Sequence, residues 1–280
     1  MNGTVLKLIE KKVGTTGFVK LIDVSPRFIP NDSIHLKCDY AIVQAARVSY
    51  SSGTKQLKND KSLIYYLYRN AHTSPFEMVE FKFHIKAPLF IVRQWQRHRM
   101  SSYNEISGRY SVLNESFWKP VSFREQSILN KQSSESNINE NLNKKLLQDY
   151  DDHLKKSYSL YNNLLSNGVT REMARSVLPV SINTEFYWKI DLHNLLRFIS
   201  LRSDYHAQQE IREYSDAIME IIKEYCPVTT EAFEEYSKGG IKFNRQEVLF
   251  IQKKTNSLGS SMSSKSAMNE LLLKIKTLTS

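Results

Sequence analysis

Polar and hydrophobic residues alternate strictly over residues 79–86, the pattern of a β-strand with one buried face. The two faces are Val79, Phe81, Phe83 and Ile85 on one side and Glu80, Lys82, His84 and Lys86 on the other. Pro88 follows, and proline interrupts strand pairing but suits the first turn of a helix. Apolar residues then recur at helical spacing, at Leu89, Val92 and Trp95. We therefore predict a strand over 79–86 and a helix over about 89–98.

Helical periodicity dominates the second half of the chain, with one further strand. A long amphipathic helix is predicted over 142–165 and stops at Asn167 and Gly168, and a short helix capped by Thr170 ends near Pro179. A strand follows over 183–190. A helix capped by Asp191 then ends near Leu201, and a long helix covers 206–225. We expect an α+β fold with a mixed or antiparallel sheet covered by helices, and with long helices in the C-terminal half.

Composition divides the chain into one large domain and two polar additions. Its 280 residues and 41% hydrophobic content suffice for a substantial core. We predict a single catalytic domain over residues 1–250, interrupted at about 124–141 by a low-complexity insertion that is rich in Ser, Asn and Gln and should have weak order. Residues 251–280 read as a linker-like tail with a short amphipathic segment.

Charge and cysteine content limit the class of protein. Lys and Arg outnumber Asp and Glu by 39 to 29, so the net charge of +10 attracts anions of any kind, from nucleotides and folates to nucleic acid. The two cysteines, Cys38 and Cys226, are too few for a disulfide framework, and no Cys and His cluster has the spacing of a zinc site. Because no apolar run has signal-peptide or membrane-spanning length, we expect a soluble cytoplasmic protein with no metal site and no membrane contact.

The densest group of chemically useful side chains lies at residues 97–110, which read Arg-His-Arg-Met-Ser-Ser-Tyr-Asn-Glu-Ile-Ser-Gly-Arg-Tyr. The nine glycines are scattered and form no phosphate-binding loop, so side-chain cations must bind any phosphate. A guanidinium suits this role because its planar fork matches phosphate and carbonyl oxygens. The available arginines are Arg97, Arg99, Arg109, Arg175 and Arg202. A lone arginine is usually solvated, but three within thirteen residues predict a site for a small anionic ligand.

The same segment resembles the signature of the flavin-dependent thymidylate synthase family. Arg97-His98-Arg99 is followed after seven residues by Ser107, within a run that reads Asn-Glu-x-Ser-Gly-Arg-Tyr. Further blocks match in the family's order, at residues 45–50, 72–77, 171–175, 178–179, 201–202, 206–208 and 226–227. The resemblance covers roughly residues 40–240 and leaves the insertion and the tail unexplained.

The resemblance implies methylation of the uracil of dUMP, with methylenetetrahydrofolate as carbon donor, FAD as hydride carrier and NADPH as reductant. Uracil C5 is a poor nucleophile, and the familiar solution is a cysteine thiolate that adds to C6. Cys226 falls at the predicted C-terminal end of a helix, whose dipole raises a thiol pKa, and Cys38 lies outside the basic cluster. We interpret both cysteines as small core residues, so that flavin chemistry replaces the thiolate.

Family positions carry over to this chain residue by residue. Arg202 matches an arginine that activates the pyrimidine by favouring ionisation at N3, although a cation is also common at the C-terminal end of a helix. The positions that resemble dUMP contacts are Gln94, Arg97, Glu105, Ser107, Gly108, Arg109, Arg175 and Arg202, with Ser107, Arg109 and Arg175 at the phosphate. The positions that resemble FAD contacts are Ser74, Arg97, His98, Arg99, Asn104, Glu105, Asp191, His193 and Arg197.

Asp191 departs from the family pattern, in which many members have asparagine at this position. A carboxylate there would approach the flavin unless it serves as the helix cap. Family members are typically homotetramers whose active sites are shared between subunits, and the resemblance implies the same assembly for this chain.

A basic nucleic-acid-binding module is the alternative hypothesis. In it, residues 97–99 contact backbone phosphates while Tyr103 or Tyr110 stacks on bases. Glu105 counts against this hypothesis, since a carboxylate among the arginines would repel a continuous polyanion. We therefore predict an enzyme that has small-molecule partners and no nucleic-acid partner.

Overall fold

The computed structural model describes residues 9–48, 59–128, 134–240 and 243–248. One compact unit ends at Lys238 and contains the strands and helices named below, and a second unit begins at Gly239. The predicted linker and amphipathic segment of the tail lie outside the described residues. The division into a catalytic domain over 1–250 and a tail over 251–280 therefore stays a prediction.

An antiparallel sheet of five strands forms the centre of the fold, and a separate pair of strands forms a hairpin in the insertion. The strands are β1 (Glu10–Val13), β2 (Gly17–Ser25), β3 (Glu80–Pro88), β4 (Ser102–Glu105), β5 (Arg124–Gln126), β6 (Ser134–Asn137) and β7 (Asn183–Asp191). Their order in the large sheet is β1-β2-β3-β7-β4, and each neighbouring pair is antiparallel.

The helices lie mostly before β3 and after β6. They are α1 (Asp39–Val48), α2 (Asp60–Arg69), α3 (Leu89–Trp95), α4 (Glu140–Ser166), α5 (Arg171–Ala174), α6 (Leu192–Arg202), α7 (Gln209–Tyr225) and α8 (Pro227–Phe233). Shorter 3-10 turns occur at Asn31–Leu36, Ser74–Met78 and Arg175–Val177, and a π-helical turn at Glu234–Lys238. The predicted α+β class is confirmed, as are the long helices of the C-terminal half.

The alternating pattern places β3 in the middle of the sheet, between β2 and β7. Phe81, Phe83 and Ile85 are fully buried, and each contributes roughly 1.5–3 kcal/mol by leaving water. Phe83 pairs with Trp188 of β7, so the buried faces of the two strands coincide. The predicted strand is confirmed and extends to Pro88, whose missing N–H is tolerated at the end of the strand.

Helix α3 is shorter than the sequence predicted, because it ends at Trp95 instead of near His98. The amide nitrogens of Arg97 and His98 bond to carbonyl oxygens three residues back, at Gln94 and Trp95, over 3.4 and 3.0 Å. Bonds of this kind tighten the chain into a turn. The turn lets the backbone reverse and enter β4, so part of the arginine-rich segment 97–110 is an edge strand of the sheet.

Helix α7 begins at Gln209 instead of His206. Asp204 Oδ1 accepts a hydrogen bond from the backbone N–H of His206 at 2.8 Å, and Ala207 N bonds to Asp204 O at 2.9 Å. An aspartate that binds the backbone two residues on favours a turn over a helix. The chain therefore enters α7 only at Gln209.

The insertion contains more regular structure than its composition predicted. Strands β5 and β6 pair with each other, and α4 begins inside the predicted range because Asn139 Oδ1 accepts bonds from the N–H groups of Asn141 and Leu142. Arg124 Nη2 donates to the buried carboxylate of Glu210 over 2.7 Å. This ion pair joins β5 to the first turn of α7.

Trp95 is the centre of the main core. Its ring is fully buried and contacts Phe186 and Trp188 of β7, Phe198 of α6 and Tyr214 of α7, with ring centroids 4.9–5.6 Å apart. Aromatic pairs in such geometry stabilise a fold by about 0.5–1.5 kcal/mol each beyond the effect of burial. The end of α3 is therefore fixed to three elements at once, and the turn that follows leaves the core from a rigid point.

A smaller core lies between α4 and the segment before the insertion. Tyr161 of α4 is fully buried, and its hydroxyl accepts a bond from Leu113 N at 3.1 Å, while Tyr158 donates to Leu113 O at 3.1 Å. Leu154 packs in the same cluster with Phe117. The long helix thus holds the residues that follow Arg109 and Tyr110 in place.

Candidate active site

A cavity of about 580 Å³ opens between the turn after α3 and helix α6. Its lining residues are Arg97, His98, Arg99, Met100, Ile190, Asn194, Arg197, Leu201 and Arg202. Five residues that the sequence predicted as ligand contacts meet here, namely Arg97, His98, Arg99, Arg197 and Arg202. Four of these are arginines and the lining includes no carboxylate, so the cavity attracts and holds anions.

The wall formed by α6 begins with its cap. Asp191 Oδ1 accepts a bond from the backbone N–H of Asn194 at 2.9 Å, and Oδ2 accepts one from the Asn194 side chain at 2.8 Å. Both carboxylate oxygens are thus engaged at the helix end, which agrees with the cap predicted for Asp191. Asn194, Arg197 and Leu201 follow at spacings of three and four, so one helix face lines the cavity.

Arg202 is the last residue of α6, and two bonds fix its guanidinium. Nε donates to His98 Nε2 at 3.0 Å, and Nη2 donates to the backbone oxygen of Gln94 at 3.0 Å. Burial lowers the pKa of Arg202, although arginine remains charged at any physiological pH. Two of the five N–H groups are engaged in these bonds, which leaves three to face a ligand.

His98 is a neutral imidazole at physiological pH. Burial lowers the pKa of His98 to about 4, and the positive charges of Arg202 and Arg197 act in the same direction. Its ring packs against Phe198 in a T-shaped arrangement, with centroids 4.8 Å apart. The site therefore contains an uncharged hydrogen-bond acceptor in direct contact with its most buried arginine.

The turn that carries Arg97 and Arg99 is closed by side-chain bonds to two carbonyl groups, and one of them is that of Trp95, which accepts from Tyr103 Oη at 3.3 Å. The backbone oxygen of His98 accepts bonds from Tyr103 Oη at 2.9 Å and from Ser101 Oγ at 3.0 Å. Tyr103 lies in β4, which pairs with β7 through Ser102 and Lys189 onward. The cavity's two walls, the turn and α6, are thus both attached to β7.

The lining combines cations with apolar surface. Met100, Ile190 and Leu201 supply aliphatic contacts next to the arginines. A flavin dinucleotide has the same combination of features, because a planar ring system is linked to a diphosphate. The residues present therefore fit FAD, with Arg97, Arg99 and Arg197 as candidates for its phosphates.

A second group of predicted residues lies around a separate cavity of about 510 Å³, whose lining includes Arg109, Tyr110, Arg171 and Glu172. Arg109 Nε donates to Glu172 Oε2 at 3.2 Å, and Arg109 N donates to Ser107 Oγ at 3.3 Å. The Arg109–Glu172 pair is more than half exposed, so it stabilises the chain by about 0–1 kcal/mol at most. A phosphate could displace this partner at little cost.

Gly108 connects Ser107 and Arg109 to Arg175. A Cβ atom at residue 108 would lie 3.2 Å from Arg175 Cδ and 3.1 Å from Leu113 Cδ1. These contacts are tighter than ordinary packing, so a side chain at this position would displace Arg175. Glycine thus lets the Arg175 side chain pack against the backbone between Ser107 and Arg109, and their role in binding phosphate stays a prediction.

Gln94 and Glu105 make bonds within the protein. Gln94 Nε2 donates to Gln208 Oε1 at 2.5 Å. Glu105 Oε1 accepts a bond from Thr184 Oγ1 at 2.7 Å, and Oε2 accepts one from Gln96 Nε2 at 3.2 Å. Glu105 is therefore held against β7 and does not line the 580 Å³ cavity.

Besides Glu105 and Asp191, three more residues predicted as FAD contacts lie outside that cavity's lining, namely Ser74, Asn104 and His193. Ser74 is exposed at the start of a 3-10 turn, Asn104 is exposed opposite Tyr187 in the sheet, and His193 is partly exposed in the first turn of α6. Their contact with FAD stays a prediction.

Sequence reasoning missed four lining residues, namely Met100, Ile190, Asn194 and Leu201. Asn194 had a local signal, because it stands three residues after a predicted helix cap. The apolar residues had none that separates a ligand contact from an ordinary surface or core residue.

Both cysteines are buried and free, as the sequence predicted. Burial, with a hydrogen bond to Cys38, raises the pKa of the Cys226 thiol far above its usual value. A thiol in that state is a poor nucleophile, and neither cysteine lines the arginine cavity.

Within the described ranges, no group of three or more His, Cys, Asp or Glu side chains is arranged to hold a metal ion. No helix in the same part of the chain is long and apolar enough to span a membrane.

The antiparallel α+β fold and a cavity lined by four arginines, with both cysteines buried outside it, are features that suit a protein for phosphorylated organic ligands. The chain belongs to the family of thymidylate synthase complementing proteins, whose family model matches residues 35–228. This finding confirms the resemblance recognised in the signature segment.

Curated relatives agree with this assignment. A flavin-dependent thymidylate synthase of Dictyostelium discoideum is 49% identical over 245 residues, which cover 87% of this chain and 80% of the relative. One from Thermus thermophilus is 51% identical over 232 residues, covering 83% of this chain and 81% of the relative. Among solved structures, the UMP/dUMP methylase PolB from Streptomyces cacaoi, bound with 5-Br UMP, is 30% identical with a TM-score of 0.69, over 81% of this chain and 97% of that one.

Proposed function

We propose that this chain is a flavin-dependent thymidylate synthase, a methyltransferase that converts dUMP to dTMP with methylenetetrahydrofolate as carbon donor and NADPH as reductant. Family membership supports the reaction, and the arginine-lined cavity that joins Arg97, His98, Arg99, Arg197 and Arg202 is the observation that carries it to particular residues. FAD, when bound, supplies the hydride that completes the methyl group.

Arg202 is the residue we assign to catalysis. Its guanidinium is partly buried and oriented, with three N–H groups left for a ligand. A fixed positive group beside a pyrimidine carbonyl stabilises negative charge on the ring and so favours loss of the N3 proton. Pre-orientation matters here because no further reorganisation is needed as the charge develops.

The dUMP phosphate binds at Ser107, Arg109 and Arg175 in this proposal. The fixed turn around Gly108 brings these residues together, and the exposed Glu172 is a weak competitor for Arg109. Gln94 and Glu105 are held by hydrogen bonds beside the arginine segment, where they can orient the base and sugar.

Shared active sites in a homotetramer are part of the proposal, as the family resemblance implies, and the distribution of these residues is compatible with them. Arg97 and Arg202 line one cavity, whereas Arg109 lines another. Assembly with further copies of the chain would let the base-binding group of one subunit meet the phosphate-binding group of a neighbour. We propose this arrangement, and a cytoplasmic location where dUMP and folate are available.

A turnover assay tests the proposal directly. Purified protein is incubated with dUMP, methylenetetrahydrofolate, NADPH and FAD, and dTMP is measured by chromatography, with each component omitted in turn and UMP supplied in place of dUMP as a substrate control. We expect dTMP only when dUMP, methylenetetrahydrofolate and NADPH are all present, and a requirement for added FAD only in protein freed of bound flavin. Absence of dTMP from flavin-loaded protein would overturn the proposed reaction.

Flavin uptake separates this function from the nucleic-acid hypothesis. We expect the protein to purify yellow or to bind FAD in an absorbance titration, and to bind single-stranded RNA and DNA only weakly at physiological salt. A colourless protein that takes up no FAD and retains an oligonucleotide would favour the binding module.

A further inference from the structure

The contact between Arg202 and His98 has a chemical requirement. A guanidinium only donates hydrogen bonds, so His98 Nε2 must accept with its lone pair and carry no proton. The ring proton then resides on Nδ1. Because Nε2 faces Arg202 over 3.0 Å, it is not free to bind a flavin or a nucleotide directly.

The surroundings of His98 keep it in this form. Arg202 and Arg197 act on it from α6, the Phe198 ring packs against it in a T-shaped arrangement, and Tyr103 of β4 bonds to its backbone oxygen. Burial and the two arginines lower the pKa of His98 to about 4, and burial raises the pKa of Tyr103. The imidazole is therefore neutral over the pH range in which the protein works.

A neutral acceptor does something that a carboxylate cannot. Aspartate or glutamate facing Arg202 would fix the guanidinium but would also cancel the positive charge that a pyrimidine anion needs. An imidazole fixes the same N–H group and leaves the charge intact. The second acceptor, the backbone oxygen of Gln94, is also uncharged, so it too fixes the guanidinium without cancelling its positive charge.

We propose that His98 is a positioning residue for Arg202, an uncharged acceptor that aims the remaining guanidinium N–H groups at the pyrimidine. The inference rests on the proposed function, because it presumes that Arg202 activates dUMP. It adds a role for His98 beyond the flavin contact that the signature segment suggests.

Three substitutions separate the properties of the side chain. His98→Gln offers a neutral amide oxygen near the position of Nε2, His98→Phe keeps the ring packing on Phe198 without an acceptor, and His98→Glu supplies an acceptor with a negative charge. Each variant is tested as the full chain for FAD content by absorbance, for dUMP affinity by calorimetry, and for kcat and KM with dUMP. A thermal melt identifies any variant that does not fold.

His98→Phe and His98→Glu are expected to lose about 10-fold or more in kcat/KM for dUMP, whereas His98→Gln stays within about 3-fold of wild type. FAD content should be the same in His98→Gln and His98→Phe, and the kinetic comparison is made at saturating FAD because a carboxylate in the cavity weakens the attraction for the FAD phosphates. In the Arg202→Ala background, His98→Phe should cause no further loss, since the two residues act through one contact.

Several results would overturn the inference. They are wild-type kcat/KM in His98→Phe, equal activities of His98→Glu and His98→Gln, full additivity with Arg202→Ala, or a loss of FAD in both the Phe and Gln variants. If His98→Phe does not fold, the comparison of His98→Gln with His98→Glu decides. If wild-type protein makes no dTMP, the proposed function fails, and the dUMP affinities of the same variants still test whether His98 orients Arg202.

Discussion

Asp39 provides a quantitative test of how burial acts in this fold. It is the first residue of α1, its side chain is fully buried, and its carboxylate caps α8 by accepting bonds from the N–H groups of Val228 at 2.7 Å and Thr229 at 3.3 Å, and from the Thr229 hydroxyl. Burial penalises the charged form and raises the pKa of Asp39 to about 6, although these bonds partly oppose the shift.

The shift predicts a pH dependence with a definite sign. Between the ordinary carboxyl pKa of 3.8 and the folded value of about 6, the folded protein holds the Asp39 proton more tightly than the unfolded chain does. The resulting stabilisation is fully present below pH 3.8 and is lost as the pH rises through 6. A difference of about 2 units corresponds to roughly 3 kcal/mol of unfolding free energy.

The variant Asp39→Asn removes the titration and keeps a side-chain oxygen for the helix cap. We expect the unfolding free energy of the variant minus that of wild type to increase by about 3 kcal/mol between about pH 4 and pH 7.5. Urea denaturation followed by circular dichroism at four or five pH values measures it, and the other titrating groups cancel in the difference. A difference that stays constant with pH would refute the reasoning.

Three further predictions concern the site. Arg202→Ala should lower kcat about 100-fold or more while FAD stays bound, because its proposed partner is the pyrimidine; unaltered turnover would remove its assigned role. Arg109→Lys should weaken dUMP binding by about 10-fold, since a point charge cannot reproduce a forked contact, while Glu172→Gln should tighten it; calorimetry that finds all three proteins equal would count against the phosphate site. Asp191→Ala should cost about 1 kcal/mol of unfolding free energy and Asp191→Asn less than half of that, because asparagine can still cap α6; equal losses in urea denaturation would contradict the cap.

Features that depend on neighbours in the sequence were predictable. The alternation over 79–86 is enough to predict β3, because it places all the apolar residues on one face of a strand and that face packs on the core. The cap at Asp191 depends on a residue three positions on, and the signature at 97–110 keeps its arginines close together whatever the rest of the chain does.

Features that depend on contacts between residues far apart in the sequence could not be predicted. Gly17 begins β2 without a side chain because a Cβ there would lie 2.0 Å from Tyr214 Oη of α7, a contact between residues far apart in the sequence. Residues 104 positions apart form the pair of Arg202 and His98. The sequence predicted both residues as ligand contacts. Their contact with each other could not be predicted, because it depends on the turn after α3 meeting the end of α6 in the fold.

Phe198 belongs at once to the hydrophobic core and to the chemistry of the site. The centroid of its ring lies 4.9 Å from that of Trp95 and 4.8 Å from that of His98. Phe198 therefore shields the side of the imidazole that faces the core from water. A substitution that loosened this packing would admit water to the imidazole and so favour its protonated form. The positive charge on His98 would then repel that of Arg202. Such a variant would lose activity at mildly acidic pH while it is still folded. Tight packing at Phe198 therefore also extends the pH range of activity.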